Sequence, residues 1–277
     1  MLSPSANPPV ILTFAALDPS GSTGIQADIE TCASIGAHCA PLVTSLCTSG
    51  ETAERESIPV NTEILIEQAR SILNEMDVRA IKLGFLGSIE SMEAVHSLLQ
   101  DCGNLPVVAH PSLCLWQDPW RDSFGDAFAE LILPLVDVGL FTLYEAQILA
   151  REGDSLEARA REILSTQCEN LLITGTGEQQ PEFRNSLFQQ RGEVRHFRWQ
   201  QESAASQGAS STLAMSIAAY LAHGFSILQA VEEAQNFTWQ ATRASRHIGF
   251  GRSTLHRFFW ADPNIDSAAK PSNKSSH

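Results

Sequence analysis

Short apolar runs rich in strand-forming residues alternate along this chain with longer stretches of helical period, and that alternation leaves few architectures open. Val10 to Ala16 (VILTFAA) is continuously apolar, too short for a core helix, and reads as a strand covered on both faces. The turn Leu17-Asp18-Pro19-Ser20-Gly21-Ser22 leads into a helix whose apolar positions Ile25, Ile29, Cys32 and Ala33 recur at helical spacing and which stops at Gly36. The unit then repeats. Pro41 to Cys47, Ala80 to Leu83, Pro106 to Ala109, Val136 to Phe141 and Asn170 to Thr174 read as strands. Between them, Asn61 caps a helix bearing Leu65, Ala69, Ile72 and Leu73, and further helices fit Ser88 to Leu99, Leu143 to Arg151 and Ser155 to Thr166. Ser186 to Gln190 and Val194 to Trp199 flank the turn Arg191-Gly192-Glu193 and predict a hairpin on an antiparallel edge. Two helices, near Ala209 to Ala222 and Ser226 to Ala244, follow. Strands alternating with helices predict an α/β fold with a doubly wound, mainly parallel sheet.

No linker or internal repeat divides the chain. The expected organisation is a flexible N-terminus over 1–8, one domain over 9–261 and a polar, disordered tail over 262–277. Composition narrows the function. Of 277 residues 43% are hydrophobic, enough for a sizeable core, and 32 acidic residues against 18 basic ones give a net charge of −14. Such a surface repels phosphate backbones and anionic membranes, so neither nucleic acid nor membrane is an expected partner. No apolar run approaches the ~20 residues of a membrane helix. The start, Met1-Leu2-Ser3-Pro4-Ser5, lacks a basic segment before an apolar one, which argues against a signal peptide. Six cysteines without a CxxC pair fit reduced thiols in a cytoplasmic protein.

In open α/β sheets ligands sit beyond the carboxyl ends of strands, and several loops there are unusual. Ala15-Ala16-Leu17-Asp18-Pro19-Ser20-Gly21-Ser22-Thr23-Gly24-Ile25-Gln26-Ala27-Asp28 resembles the first fingerprint of the hydroxymethylpyrimidine/phosphomethylpyrimidine kinases, roughly AGxDPSGGAGIQAD. Lys82-Leu83-Gly84-Phe85-Leu86-Gly87, Leu171-Leu172-Ile173-Thr174-Gly175 and Gly208-Ala209-Ser210-Ser211-Thr212-Leu213 resemble, in order, its K-[IL]-G-M-L segment, its strand before the nucleotide loop and its G-[TS]-G-C-T-L loop. The similarity runs from about Pro9 to Phe259.

This resemblance implies a ribokinase-like fold and ATP-dependent phosphorylation of a pyrimidine's hydroxymethyl group, then of its monophosphate, for thiamine synthesis. It implies ATP and Mg²⁺ as cofactors, a small pyrimidine as substrate, and a homodimer. Asp28 falls on the family's substrate aspartate, a carboxylate able to accept from an exocyclic amine. Ala16, Ser49 and Phe85 fall on other substrate positions, where the family carries glycine, glutamine and methionine. Thr174 and Gly175 fall on the nucleotide side, where some members carry lysine in place of Thr174. Thr142, on the nucleotide side, and Glu145 match the asparagine and glutamate of the family's N-L-P-E element, which organise magnesium and phosphates; Glu145 is the implied magnesium residue. His110 stands where the family has an aspartate. Gly208, Ser210 and Ser211 match the anion hole, whose amides receive the transferred phosphoryl group. There the second glycine has become Ser210 and the cysteine Ser211, and a serine hydroxyl is a weak base. These departures leave three readings open: a working pyrimidine kinase, a catalytically impaired paralogue that binds a pyrimidine, a nucleotide or a protein, and a related kinase with a shifted substrate such as pyridoxal.

Overall fold

The computed structural model describes residues 7–48, 56–113, 120–176, 182–200 and 207–262. Ser49, most of the predicted N-terminal segment and nearly all of the predicted tail lie outside the described residues.

Nine strands form one sheet: β1 (Val10–Leu17), β2 (His38–Cys47), β3 (Ser57–Pro59), β4 (Val78–Leu83), β5 (Val107–Ala109), β6 (Val138–Thr142), β7 (Asn170–Thr174), β8 (Glu182–Gln189) and β9 (Val194–Gln200). Their order is β3-β2-β1-β4-β5-β6-β7-β8-β9. Strands β2 through β7 run parallel in that order, while β3, β8 and β9 pair antiparallel at the two edges. The predicted hairpin is therefore the far edge of the sheet. Between β1 and β2 lies α1 (Gly24–Ser34), and α2 (Thr62–Glu75) leads into β4. Four helices follow: α3 (Ile89–Asp101), α4 (Trp120–Ala127), α5 (Leu143–Leu149) and α6 (Leu156–Leu164). The last two are α7 (Ala209–Ala222) and α8 (Ile227–Arg243).

The chain steps from β1 outward to β2, then returns to lay β4 on the other side of β1. This is the topological switch point at which doubly wound sheets open a crevice. Residues alternate between the sheet's two faces. Ile81 and Leu83 of β4 pack with Leu65, Ala69, Met92 and Val95 of α2 and α3. Ala80 of the same strand joins Ile11, Val108, Val138 and Leu172 beneath α1, α7 and α8.

Three expectations change. The buried face of α1 carries Ile25, Ala27, Asp28, Thr31 and Cys32, while Ile29 is 37% exposed and Ala33 is also outside. The polar pair turns inward because both side chains find partners, Asp28 on Thr13 and Lys82, Thr31 on the Ala27 carbonyl. Strand β2 starts before Pro41; β3 pairs only with Ser45 to Cys47, so the proline faces an open edge where a missing N–H costs nothing. The π-helical turn Phe128–Ile132 and the 3₁₀ turn Leu133–Leu135 precede β6, so this strand begins at Val138 rather than Val136.

Candidate active site

Alternation places Lys82 on the α1/α7 face near the carboxyl end of β4, one pleat beyond Ala80. On the neighbouring strands, His110 follows β5, Thr142 ends β6 and Thr174 ends β7. Four adjacent strands thus end in polar groups on one side of the crevice.

The N-terminal loop is held by its own side chains. Asp18 accepts from the backbone N–H and hydroxyl of Ser20 and from those of Thr23. Burial would raise its pKa, but these bonds hold it below the ordinary 3.8. Gly24 opens α1 at φ +62°, with its α-carbon so close to the Ala16 carbonyl that any Cβ would collide. Ala16 itself is buried.

Asp28 is 0% exposed. Its Oδ2 accepts from Thr13 Oγ1 at 2.9 Å and from Lys82 Nζ at 2.8 Å, while Oδ1 is buried without a hydrogen-bond partner. The predicted direct acceptor of a substrate amine is thus sealed in this conformation. The ammonium it holds stands at the crevice floor, 2.9 Å from where a Cβ on Gly84 would lie. Phe85 stacks on Phe124 with ring centroids 6.1 Å apart, and its carbonyl accepts from Thr44 Oγ1 at 2.5 Å.

Glu145, the residue to which the resemblance gives a metal role, is also fully buried. Oε1 accepts from the Leu113 amide at 2.9 Å; Oε2 accepts from the Thr142 amide at 2.9 Å and hydroxyl at 2.8 Å. Thr142 in turn caps α5, which completes a capping box. Thr142, matched to the nucleotide side, is therefore engaged with Glu145. His110 Nδ1 donates to the Leu140 carbonyl at 3.1 Å and lies 4.0 Å from Glu145 Oε2. Burial lowers its pKa below 6.5, with Glu145 opposing and Lys82 reinforcing the shift. Burial thus favours the neutral imidazole, and the Leu140 carbonyl, an acceptor only, takes the proton on Nδ1. Both Glu145 oxygens already accept hydrogen bonds and the side chain is fully buried, so in this conformation Glu145 presents no free oxygen for direct coordination of a divalent cation. Among the described residues no three His, Cys, Asp or Glu side chains group as a metal site.

On the nucleotide side, Thr174 Oγ1 leans on the Phe141 carbonyl at 3.5 Å, and the Gly175 amide donates to Asn185 Oδ1 at 3.3 Å. The loop beyond Thr176 lies outside the described residues.

The cradle is the first turn of α7. Gly208 is its N-cap at φ +95° and supplies no side-chain cap. The first rung of the helix is Thr212 N–H to Gly208 C=O at 3.0 Å, so the amides of Ala209, Ser210 and Ser211 precede the ladder. Ser211 is buried and Ser210 half-buried. Gly208 packs against the Ser22 carbonyl so closely that a Cβ has no room. The N-terminal loop and the cradle, 186 residues apart by the numbering of Ser22 and Gly208, thus meet at the switch point.

Arg257 and Lys82 are the functional candidates that sequence reasoning missed. Lys82 was visible within its motif, but no pattern marks it as the partner of Asp28. Arg257 lies in a stretch without a recognisable motif, and only the fold brings it beneath Gly208. On the outer side of α1 a cavity of 460 Å³ is lined by residues including Asp18, Gln26, Glu30, Arg246 and His256. Its charges are paired locally, Arg246 with Asp262 and Arg257 with Glu30.

A mainly parallel sheet flanked by helices, with a switch point beside β1 where the loop after β1 meets the start of α7, defines a ribokinase-like α/β fold. Pyridoxal kinase from Staphylococcus aureus, in complex with AMP-PCP and pyridoxal, superposes with a TM-score of 0.83 at 20% identity, covering 92% of this chain and 96% of that one. Phosphomethylpyrimidine kinase from Clostridium difficile superposes with a TM-score of 0.70 at 21% identity, covering 84% and 99%. The family model described as phosphomethylpyrimidine kinase matches residues 18–256, and the chain belongs to that family. Hydroxymethylpyrimidine/phosphomethylpyrimidine kinase of Rhizobium meliloti is 30% identical over 266 residues, covering 91% of this chain and 99% of the relative.

Proposed function

We propose that this chain transfers the γ-phosphoryl group of ATP to the hydroxymethyl oxygen of hydroxymethylpyrimidine and then to the phosphate of its monophosphate, in thiamine synthesis. The observation that carries this reading is the seat of Gly208 against Ser22. It brings the start of α7, where the amides of Ala209, Ser210 and Ser211 precede the ladder, against the loop that follows β1, next to the strand that carries Lys82. Phosphoryl transfer asks mostly for alignment and for charge stabilisation. Preorganised amides at a helix start provide the second without reorganisation. The Ser211 hydroxyl, replacing a thiol, serves as donor beside the acceptor oxygen rather than as a strong base. Ala16 and Phe85 bound the pyrimidine, Thr174 and Gly175 line the nucleotide side, and Asp28 works at one remove by fixing the Lys82 ammonium. Magnesium, where it accompanies the nucleotide, is left to the phosphates. A homodimer in the cytoplasm completes the reading, and light scattering checks the assembly.

Steady-state ATP consumption, with the products identified by phosphorus NMR, tests the assignment on hydroxymethylpyrimidine, its monophosphate and pyridoxal. Turnover with both pyrimidines is expected. Turnover with pyridoxal alone would reassign the substrate. Absence of turnover, together with a ligand-induced rise in Tm, would make the chain a binding protein instead.

A further inference from the structure

We propose that Arg257 is a positioning residue for phosphoryl transfer, its guanidinium holding the N-terminal loop and the α7 cradle in one fixed register. The inference rests on reading the first turn of α7 as that cradle. Arg257 is 1% exposed. Its Nη2 donates to the Ser22 carbonyl at 2.6 Å, its Nε to Thr212 Oγ1 at 2.9 Å and its Nη1 to Glu30 Oε2 at 2.9 Å. Ser22 is the residue on which Gly208 rests, and Thr212 carries the first amide of the α7 ladder. One planar fork therefore spans both halves of the crevice, a geometry that a lysine's single nitrogen cannot reproduce.

The surroundings hold the fork in place. Ser34 Oγ donates to the Arg257 carbonyl at 2.7 Å, and Trp260 Nε1 donates to Ser34 Oγ at 2.7 Å. Ser22 Oγ and Thr254 Oγ1 share a hydrogen bond of 2.9 Å, and the Gln207 amide donates to the Ser253 carbonyl at 3.0 Å. Elsewhere α1 and α7 meet the sheet through apolar residues such as Cys32, Leu213, Ala214 and Ile217. A buried cation is a costly way merely to join two helices. This one lies 2.8 Å from where a Cβ on Gly208 would stand, so its charge backs the amides at which phosphoryl charge develops.

Arg257→Met removes fork and charge, Arg257→Lys keeps the charge alone, and Glu30→Gln with Arg257→Met leaves no carboxylate without its partner. Each is assayed for kcat and KM on the folded fraction, and for amide hydrogen exchange over 208–212. Arg257→Met is expected to lower kcat roughly 10²-fold while KM for the pyrimidine stays within about threefold. Arg257→Lys should recover only part of the rate, and added guanidinium ion should restore part of it to Arg257→Ala. A lower Tm with unchanged kcat would overturn the proposal and leave Arg257 a structural tie. If the unaltered protein does not phosphorylate the pyrimidine, the function reading fails separately. Exchange then decides only whether Arg257 holds the two loops in register: faster exchange at 209–212 in the methionine variant supports that part, and unchanged exchange overturns it.

Discussion

In the N-terminal loop, polar side chains turn back on their own backbone, with Asp18 gathering the amides and hydroxyls of Ser20 and Thr23. In the cradle the reverse holds. Gly208 offers no side-chain cap, the ladder starts only at Thr212, and the loop is fixed from outside by the Ser22 carbonyl and Arg257. A turn that satisfies itself resists deformation but has little left for a ligand. A turn held from behind keeps its amides for an incoming anion. Substitutions around the first loop and its Asp28–Lys82 floor should therefore appear mainly in stability, and those in the cradle mainly in rate.

The largest effect is expected at the floor. Lys82→Met strands a fully buried carboxylate and should cost about 3–5 kcal/mol in urea denaturation. Adding Asp28→Asn should recover most of that loss, and if it does not, the pair is not what Lys82 contributes. Next comes Gly208→Ala, which places a methyl against the Ser22 carbonyl at a left-handed φ. A fall in kcat of roughly 10²-fold is expected, of the size seen when one oxyanion donor is displaced. A loss of stability with an intact rate would erase the contrast between the two loops.

The double change Ser210→Gly with Ser211→Cys restores the family's loop and should raise kcat roughly tenfold; an unchanged rate moves the deficit to His110, Thr142 or Thr174. Thr142→Val removes the α5 cap and one donor to Glu145, for a loss of about 1 kcal/mol in thermal denaturation, while Thr142→Ser should be nearly neutral.

The smallest effect concerns pH. Burial lowers the His110 pKa in the folded state, so below its ordinary 6.5 the unfolded chain binds the extra proton and stability falls with acidification. The loss levels off once the pH passes below the folded-state pKa. His196, His223 and His256 are also lowered by burial but stand nearer to solvent. His110→Asn should flatten the Tm–pH curve below 6.5 more than replacing any of these three.

Much of the fold was legible because period alone distinguishes a buried strand from an amphipathic helix. Val10 to Ala16 and Asn170 to Thr174 emerge within a residue of their observed limits, and Asn61 and Ser88 cap the helices that follow them. The short edge strand β3 carried no such signal, and α4 is too polar to announce itself. In α1 the apolar positions misled, because buried Asp28 and Thr31 look like surface residues until their partners on other segments are known. The same limit applies to the site. Motif spacing located Gly208, Ser210 and Ser211, whereas the occupation of Glu145 by Leu113 and Thr142, and the reach of Arg257 under Gly208, depend on contacts between distant segments.

A crystal structure with ADP, aluminium fluoride and hydroxymethylpyrimidine bears most directly on the claim that the two loops share one phosphoryl-transfer site. The fluoride group is predicted within hydrogen-bond distance of the amides of Ala209 to Ser211, with the hydroxymethyl oxygen in line on the Lys82 side. A fluoride group bound instead in the outer cavity between Gln26 and Arg246, or a pyrimidine remote from the ends of β1 and β4, would contradict it.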